Sequence, residues 1–405
     1  MEKTAGKEYT TVKKQTSGRL RRYMNIMGQI FFYAGLSLEL FYVILDKSAY
    51  SIPSEGILFR ITFVLFVLKV LCTKYNKKEW IIIASFSALG VVSYLSCGRN
   101  DVLRIVVMCA AFVGMDLMKV LKYVFYFTLA GCLVLIFLSV TGIYGEVSLT
   151  QVFRKGVSTR YIFGMGHPNA LHCMFFVLVS LAMYLYFNSL NWWKLLLLFA
   201  ANMVLFLFTD SKTGMLVTTF MIMMAVVMVY AKRMRDSKVI YIVGVVIILL
   251  MVTLSLVVAW YGKVYNDNGL WTEPYFGFVN RIDNIVTGRM WNSYAYPDSN
   301  ITSFSLFSSR ANTRYMDMGF YKLYYWYGYI PATVYIIALC MLMWYGYKEK
   351  DYGLFLIVLS WAVYNFMEAH EISDYIGRNY MFFLMGGLWT GIFHTRQSGE
   401  FQKLK

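Results

Sequence analysis

The stretch GMGHPNALHCMFFVLVSLAMYLYF, residues 164–187, decides the fold of this chain. A polar turn bracketed by glycines leads directly into an apolar run long enough to cross the hydrocarbon core of a bilayer. Pro168 favours the first turn of a helix, where the N–H that proline lacks has no intrahelical partner. Because every backbone polar group inside lipid must be satisfied within its own segment, the run predicts a transmembrane helix near residues 166–187.

Apolar runs of this kind recur along all 405 residues, which are 59% hydrophobic and 15% charged, with a mean hydropathy of +0.54. This composition excludes an ordinary soluble globular protein, and the sequence lacks the alternation of an outer-membrane barrel. It predicts an all-α, polytopic integral membrane protein with about twelve transmembrane helices and a long outer loop before the tenth. The predicted spans lie near residues 24–45, 57–73, 80–96, 102–115 (a candidate half-span), 122–143, 166–187, 192–209, 213–231, 239–260, 323–346, 352–368 and 378–394.

The distribution of basic residues predicts the orientation. The formal net charge is +16, and lysines and arginines crowd the N-terminus, the loops after the second and eighth spans, and the C-terminal tail. With about twelve spans these segments share one side, which the positive-inside rule makes cytoplasmic, so nucleic acid is not needed as a partner to explain them. We expect a multi-pass protein of the cytoplasmic (inner) membrane with both termini cytoplasmic. Its parts are a basic N-terminus (1–23), a single membrane domain (24–394) with outer loops near 144–165, 261–322 and 368–378, and a tail (395–405).

Basic residues also recur in the predicted outer loops, where the positive-inside rule expects few of them. They are Arg154, Lys155 and Arg160 in the first loop, and Arg281, Arg289, Arg310 and Arg314 in the second. Arginine offers a fixed fork that matches phosphate oxygens, so the set indicates an anionic ligand, and a lipid-linked pyrophosphate suits that depth. For any single residue, solvated loop charge balanced by nearby carboxylates is an equally open explanation.

The turn at residues 164–169 is suited to presenting polar groups at the outer end of the sixth span. Gly164 and Gly166 allow a tight turn and a close backbone approach to a ligand, and helix N-termini attract anions. The turn therefore brings His167 and Asn169 to the mouth of the helix. An ordinary interfacial helix start, with His167 reaching water, is equally open. His172 lies roughly 140° around the helix from His167, which favours a structural role.

Four segments carry a resemblance to a known family: RYIFGMGHPN (160–169), FTDSKTG (208–214), TGRMW (287–291) and DMGFYKLYYWYG (317–328). In this order they resemble elements of the bacterial polysaccharide polymerases of the O-antigen polymerase/ligase superfamily (Wzy-type). The capsular and exopolysaccharide polymerases of Gram-positive bacteria are especially similar. The chain departs from the family in two places. Residues 261–322 contain no histidine, whereas many ligases of the superfamily carry a catalytic one there, and Met318 follows Asp317 where the family has asparagine.

The resemblance implies a metal-independent membrane glycosyltransferase without a cofactor. It would polymerise polyprenyl-pyrophosphate-linked oligosaccharide repeat units into a surface polysaccharide at the outer face of the membrane. The implied catalytic residues are His167, Asp317 and His370, and Glu368 and Glu371 are expected to raise the pKa of His370. The implied substrate contacts are Arg154, Arg160, Arg289 and Lys212 for pyrophosphate, and Asn169, Glu368 and Tyr324 for the glycan.

Three other functions remain open from the sequence. A ligase that transfers the finished glycan to another acceptor shares the superfamily and the chemistry. A flippase of lipid-linked oligosaccharide should have short loops, unlike residues 261–322, and a small-solute transporter of two repeated halves should show internal repeats, which are not evident. Besides the lipid bilayer, a polymerase would have a flippase and a chain-length regulator as partners. Glu39 and Arg60, in the outer halves of the first two spans, are candidates for an intramembrane ion pair.

Overall fold

The computed structural model describes residues 2–51, 55–153, 156–268 and 296–393, together with residues 277 and 281. Most of this part of the chain is helical. The helices before the first outer loop are α1 (Glu2–Lys47), α2 (Glu55–Leu71), α3 (Lys77–Cys97), α4 (Asp101–Ala111) and α5 (Leu117–Val140). Those that follow it are α6 (Pro168–Leu185), α7 (Trp192–Thr209), α8 (Lys212–Tyr230), α9 (Lys232–Arg235), α10 (Lys238–Asn268), α11 (Gly319–Tyr327), α12 (Tyr329–Glu349), α13 (Tyr352–Met367) and α14 (Tyr380–Phe393).

Eight of the described helices are long and apolar enough to cross a membrane by length and composition. Two shorter apolar helices, Tyr352–Met367 and Tyr380–Trp389, follow near the end of the chain. The predicted all-α, multi-pass membrane protein is confirmed at this level. The count of about twelve spans stays a prediction, as does the orientation of the termini.

The first predicted outer loop contains a β-hairpin that the sequence analysis did not predict. Strands β1 (Ser148–Phe153) and β2 (Gly156–Tyr161) pair antiparallel, and the hydroxyls of Thr150 and Thr159 lie 2.8 Å apart across them. Both strands are rich in Val, Thr and aromatic residues, which favour pleated structure. They are short and partly polar, so their hydropathy alone predicts a loop.

The predicted tenth span is divided into two helices, α11 and α12. The chain breaks at Gly328, whose φ is +89° and whose Cβ, if it had one, would lie 2.6 Å from the Ser305 carbonyl oxygen. Only glycine fits such a position. Every residue of α11 is buried, so α11 is an interior helix and the apolar span begins at Tyr329.

Helices α6 and α13 form the centre of the bundle. Most residues of both are buried, as expected for helices that are apolar on all faces. The ring of Phe176 on α6 lies 4.7 Å from that of Tyr364 and 5.1 Å from that of Trp361 on α13. The indole N–H of Trp361 donates to Ser180 at 3.2 Å. The packing of these side chains holds α6 and α13 together at the centre of the bundle.

Single cysteines can test the predicted orientation in a background that lacks the six native ones. Leu306 is 66% exposed in the predicted long outer loop, and Met234 is 54% exposed in a predicted cytoplasmic loop. We expect Leu306→Cys to react with a membrane-impermeant maleimide on intact cells, and Met234→Cys to react only after the cells are opened. The reverse labelling pattern would invert the topology.

Candidate functional site

The turn before α6 is fixed by the end of α1. The N–H of Gly166 donates to the Lys47 carbonyl oxygen at 2.9 Å. Gly164 has a φ of +79°, and a Cβ there would lie 2.7 Å from the Leu135 carbonyl oxygen, so the position requires glycine. The predicted tight turn is present, and it places the first residues of α6 beside Lys47.

His167 is the N-cap of α6, and Pro168 is its first residue. Nδ1 of His167 accepts a hydrogen bond from the backbone N–H of Asn169 at 3.1 Å. Because Nδ1 is the acceptor, the proton of the neutral imidazole lies on Nε2, and the ring presents an N–H donor instead of a basic nitrogen. Partial burial, followed by the positive charges of Arg160 and Lys47, lowers the pKa of His167, so the neutral form prevails at pH 7.

Two of the family-like segments meet next to this turn. Nη2 of Arg160 lies 2.7 Å from the Asp210 carboxylate. The ring nitrogens of His172 lie 3.1 Å from Thr209 and 2.9 Å from Asn202. His172 is completely buried. These contacts favour a structural role for His172, as the sequence predicts. The side chain of Arg160 is 17% exposed.

The predicted third outer loop folds back into the protein. His370 and Glu371 are only 4% and 3% exposed, and Nδ1 of His370 lies 3.1 Å from the Cys173 sulfur. Burial, with the charge of Lys47 as a second cause, lowers the pKa of His370 well below its ordinary value. The prediction that Glu368 and Glu371 raise this pKa is wrong. Desolvation of the imidazole dominates, and burial also raises the pKa of Glu371 to about 8, which keeps it uncharged at pH 7.

Arg104 is the centre of a buried ion network that the sequence analysis did not predict. Its guanidinium lies 2.9 Å from the Glu39 carboxylate and 3.4 Å from that of Asp101, and it donates to the Asp374 carbonyl oxygen at 2.7 Å. The suggested pairing of Glu39 with Arg60 is wrong, because Arg60 is exposed. A buried ion needs a partner that packs against it in space, and Arg104 is that partner.

Lys322 is a buried cation that makes no ion pair with another described residue. It is 1% exposed, and its Nζ lies 3.7 Å from the ring centre of Trp326 and 4.0 Å from that of Tyr315. Arg99 also lies on the Trp326 ring, at 3.6 Å. No carboxylate of the described residues lies within 4.0 Å of Nζ. Burial lowers the pKa of Lys322 to about 7, with Arg99 and Lys47 acting in the same direction and the charges of Asp374 and Asp101 opposing it.

Lys47 connects these groups. Its positive charge acts on His167, His370 and Lys322 alike, so all three lie within electrostatic range of its side chain. We define the cationic site as Lys47, Arg99, Arg160, His167 and Lys322. Arg99 pairs with Asp374 at 3.1 Å, Arg160 pairs with Asp210, and Lys47 lies 4.0 Å from Asp46. Lys322 makes no ion pair with a described residue, although the charges of Asp374 and Asp101 act on it from a longer distance. An anionic ligand would supply a negative charge in direct contact with Lys322.

The structure describes only some of the other predicted site residues. Arg154 and Arg289 lie outside the described residues. Lys212 is exposed at the start of α8, and Asn169 is half-buried in the first turn of α6. Asp317 is half-buried two residues before α11, and it makes no hydrogen bond or ion pair with another described residue.

Tyr324 and Glu368 were the other candidates for glycan contacts. Tyr324 is 6% exposed, and its ring lies 6.0 Å from that of Phe304 and 5.6 Å from that of Tyr329. Packing within the protein occupies this ring, so its placement does not support the predicted stacking on sugars. Glu368 is half-buried at the end of α13, two residues before His370.

Within the described ranges, no group of three or more His, Cys, Asp or Glu side chains is arranged to hold a metal ion.

An apolar cleft of about 540 Å³ lies between α3, α4, α11, α12 and α14. Its walls are almost entirely hydrocarbon. Glu371, Tyr335 and Asn379 lie at one end, where the Tyr335 hydroxyl donates to Glu371 at 2.8 Å. Asp374, three residues after Glu371, is the partner of Arg99. The cleft and the cationic site therefore share one segment of chain.

The whole chain was also compared with known proteins. It matches no family model, no curated protein and no solved structure.

Proposed function

We propose that the protein polymerises polyprenyl-pyrophosphate-linked oligosaccharide repeat units into a surface polysaccharide at the outer face of the cytoplasmic membrane. The observation that carries the proposal is the cationic site next to an apolar cleft. A lipid-linked pyrophosphate needs both features, because its headgroup requires cations and its chain requires hydrocarbon. The segments that resemble polysaccharide polymerases supply Arg160, His167 and Lys322 to this site.

The cationic site suits a departing pyrophosphate. Lys47, Arg160 and Lys322 would offset the charge that develops as the glycosidic bond breaks, and Nε2–H of His167 would add a neutral hydrogen bond. The groups are positioned before substrate arrives. Lys47 holds the turn at Gly166 through its carbonyl oxygen, and the N-cap fixes the imidazole. Such preorganised groups need no rearrangement at the moment of reaction.

The acceptor is a sugar hydroxyl of a second lipid-linked unit. Its oxygen forms a bond to the anomeric carbon of the donor, the bond from that carbon to the pyrophosphate oxygen breaks, and the hydroxyl proton passes to a base. We assign the base to Asp317, a half-buried carboxylate five residues before Lys322. His167 already uses Nδ1 in the cap, and His370 is enclosed.

The apolar cleft would hold part of the polyprenyl chain. Its hydrocarbon walls match an isoprenoid, whose burial is favoured by roughly 25 cal/mol for each Å² removed from water. Glu371 does not oppose this, because its carboxyl group is uncharged at pH 7. The cleft would hold the isoprenoid chain and the cationic site would hold the pyrophosphate, in the order in which these parts are joined in the substrate.

Reconstitution with a single substrate tests the proposal. The purified protein would receive the lipid-linked unit that a deletion strain accumulates. We expect lipids that carry two or more repeat units, release of polyprenyl pyrophosphate, and persistence of the reaction in EDTA. In cells, deletion should leave single units on lipid at the outer leaflet. Long chains on lipid would indicate a ligase instead, and units confined to the inner leaflet would indicate a flippase.

A further inference from the structure

A second cavity, of about 220 Å³, lies where the turn between α8 and α10 meets the turn between α12 and α13. Three basic residues and three tyrosines line it: Arg235, Lys348, Lys350, Tyr241, Tyr347 and Tyr352. Helix α13 begins at this cavity and ends three residues before His370, so the cavity and His370 are about 24 Å apart along the helix. The positive-inside rule predicts that this end is cytoplasmic, and the lining lies at helix ends, where lipid headgroups are found.

Two hydrogen-bond donors in the cavity have no partner among the described residues. Tyr241 is 2% exposed, and its hydroxyl makes no hydrogen bond. Nε of Arg235 is buried and likewise makes no hydrogen bond, although it lies 4.0 Å from the Asp236 carboxylate. The rings around them are well packed, since Tyr241 and Tyr347 lie 5.3 Å apart and the Arg235 guanidinium lies 4.4 Å from the Tyr352 ring. Buried polar groups almost always have partners, so the two donors indicate an acceptor that enters the cavity.

The charge of the cavity is positive. Asp236 is the one carboxylate in the lining, and it already accepts from the Tyr352 hydroxyl and lies 4.0 Å from Arg235. Nearby Asp351 caps α13 through the backbone N–H of Leu354, and Glu349 is exposed. The lining itself therefore carries three basic residues against one carboxylate, with Glu349 and Asp351 close by.

Lys350 occupies a position that its backbone does not favour. Its φ is +54°, in the left-handed region, at the C-cap of α12. Glycine is the usual residue at such a position, because a Cβ is strained there. A lysine there gains the favourable interaction of its charge with the C-terminal end of the helix dipole. The same residue places a positive charge at the rim of the cavity.

We infer that this cavity binds the phosphate of an anionic phospholipid from the leaflet on that face. The phosphate oxygens would accept hydrogen bonds from Tyr241 and Arg235, and Lys348 and Lys350 would offset the charge. The lipid is favoured over a soluble anion because the lining lies at the headgroup level, where acyl chains can remain in the bilayer. The inference does not depend on the proposed enzymatic activity.

Lipid retention by the purified protein tests the inference. The protein would be placed in phosphatidylcholine nanodiscs that contain a small fraction of phosphatidylglycerol, and the lipids that remain bound would be counted by native mass spectrometry. We expect enrichment of phosphatidylglycerol. Loss of one cation or donor should reduce the enrichment roughly 5- to 10-fold, as for a contribution of about 1 kcal/mol per basic residue.

Three variants make the test specific. Lys350→Gly relieves the left-handed strain, so it should bind less lipid yet unfold at no lower temperature. Tyr241→Phe removes only the unpaired hydroxyl. Lys119→Gln is the matched control, because this lysine is 77% exposed on α5 outside the cavity, and it should bind as the original protein does. Three results would each overturn the inference. The first is that Lys350→Gly and Tyr241→Phe retain as much phosphatidylglycerol as the original protein. The others are a loss in Lys119→Gln as large as in those two variants, and displacement of the lipid by millimolar inorganic phosphate.

Discussion

Replacing Lys322 with methionine should lower polymer formation by about 10²–10³-fold, the usual effect of removing one group that stabilises developing negative charge. The variant should fold, because Lys322 is 1% exposed and makes no ion pair with another described residue. Methionine has a similar length, and exchange of a buried charge for a well-packed apolar side chain is often neutral or stabilising. Turnover of the lipid-linked repeat unit, together with thermal unfolding, provides the measurement.

The pH dependence should identify Lys322 as the group involved. The ammonium form is the one that binds an anion, and its pKa is about 7, so kcat/KM for the donor should fall as the pH rises through this value. Stability should move in the opposite direction. The folded protein loses this proton near pH 7, whereas the unfolded chain keeps it up to the ordinary pKa of 10.5. The free energy of unfolding should therefore rise with pH between these two values, because the destabilising burial of a charge is relieved.

Lys322→Arg separates charge from pKa. Arginine stays protonated, so the variant should lose the fall in kcat/KM above pH 7 while retaining part of the activity. A Lys322→Met enzyme that works at the original rate, or an original enzyme whose kcat/KM rises through pH 7, would remove Lys322 from the site.

His167→Ala should lose about 10²–10³-fold in turnover, whereas His167→Gln should stay within about tenfold of the original enzyme. The reason is the N-cap geometry. Nδ1 accepts from Asn169, so the imidazole acts through Nε2–H, and glutamine can also supply an N–H donor. A general base would behave differently, because glutamine cannot accept the proton and the loss would be as large as with alanine, on the order of 10²–10⁴-fold.

The control for His167→Ala is another helix cap. Both histidine and Asn76 cap a helix through the side chain, and loss of either cap should cost about 1 kcal/mol of stability. Asn76 caps α3 outside the cationic site, so Asn76→Ala should unfold at a lower temperature and retain its turnover. If Asn76→Ala reduces turnover as much as His167→Ala does, the effect of the histidine is only structural. Equal losses in His167→Ala and His167→Gln would restore the histidine as the base.

Local rules predicted the turn before α6 correctly. The glycine-bracketed turn and Pro168 at the first position of α6 follow from sterics within a few residues. The same rules did not find the cation–aromatic group of Arg99, Lys322 and Trp326. These residues come from α11 and the chain before α4, which are more than two hundred residues apart in the sequence. Glu39 shows the same limit, because its partner in space is Arg104 and not Arg60, the partner that the sequence suggested.

The sequence by itself determined that this is a helical membrane protein, since hydropathy and backbone hydrogen bonding act within single segments. It also determined where α6 begins. Only the tertiary structure decided that His370 is buried, that His167 carries its proton on Nε2, and that the tenth span breaks at Gly328. Desolvation and charge pairing depend on which distant segments pack around a group. A chain that is apolar along most of its length carries no local signal of that packing.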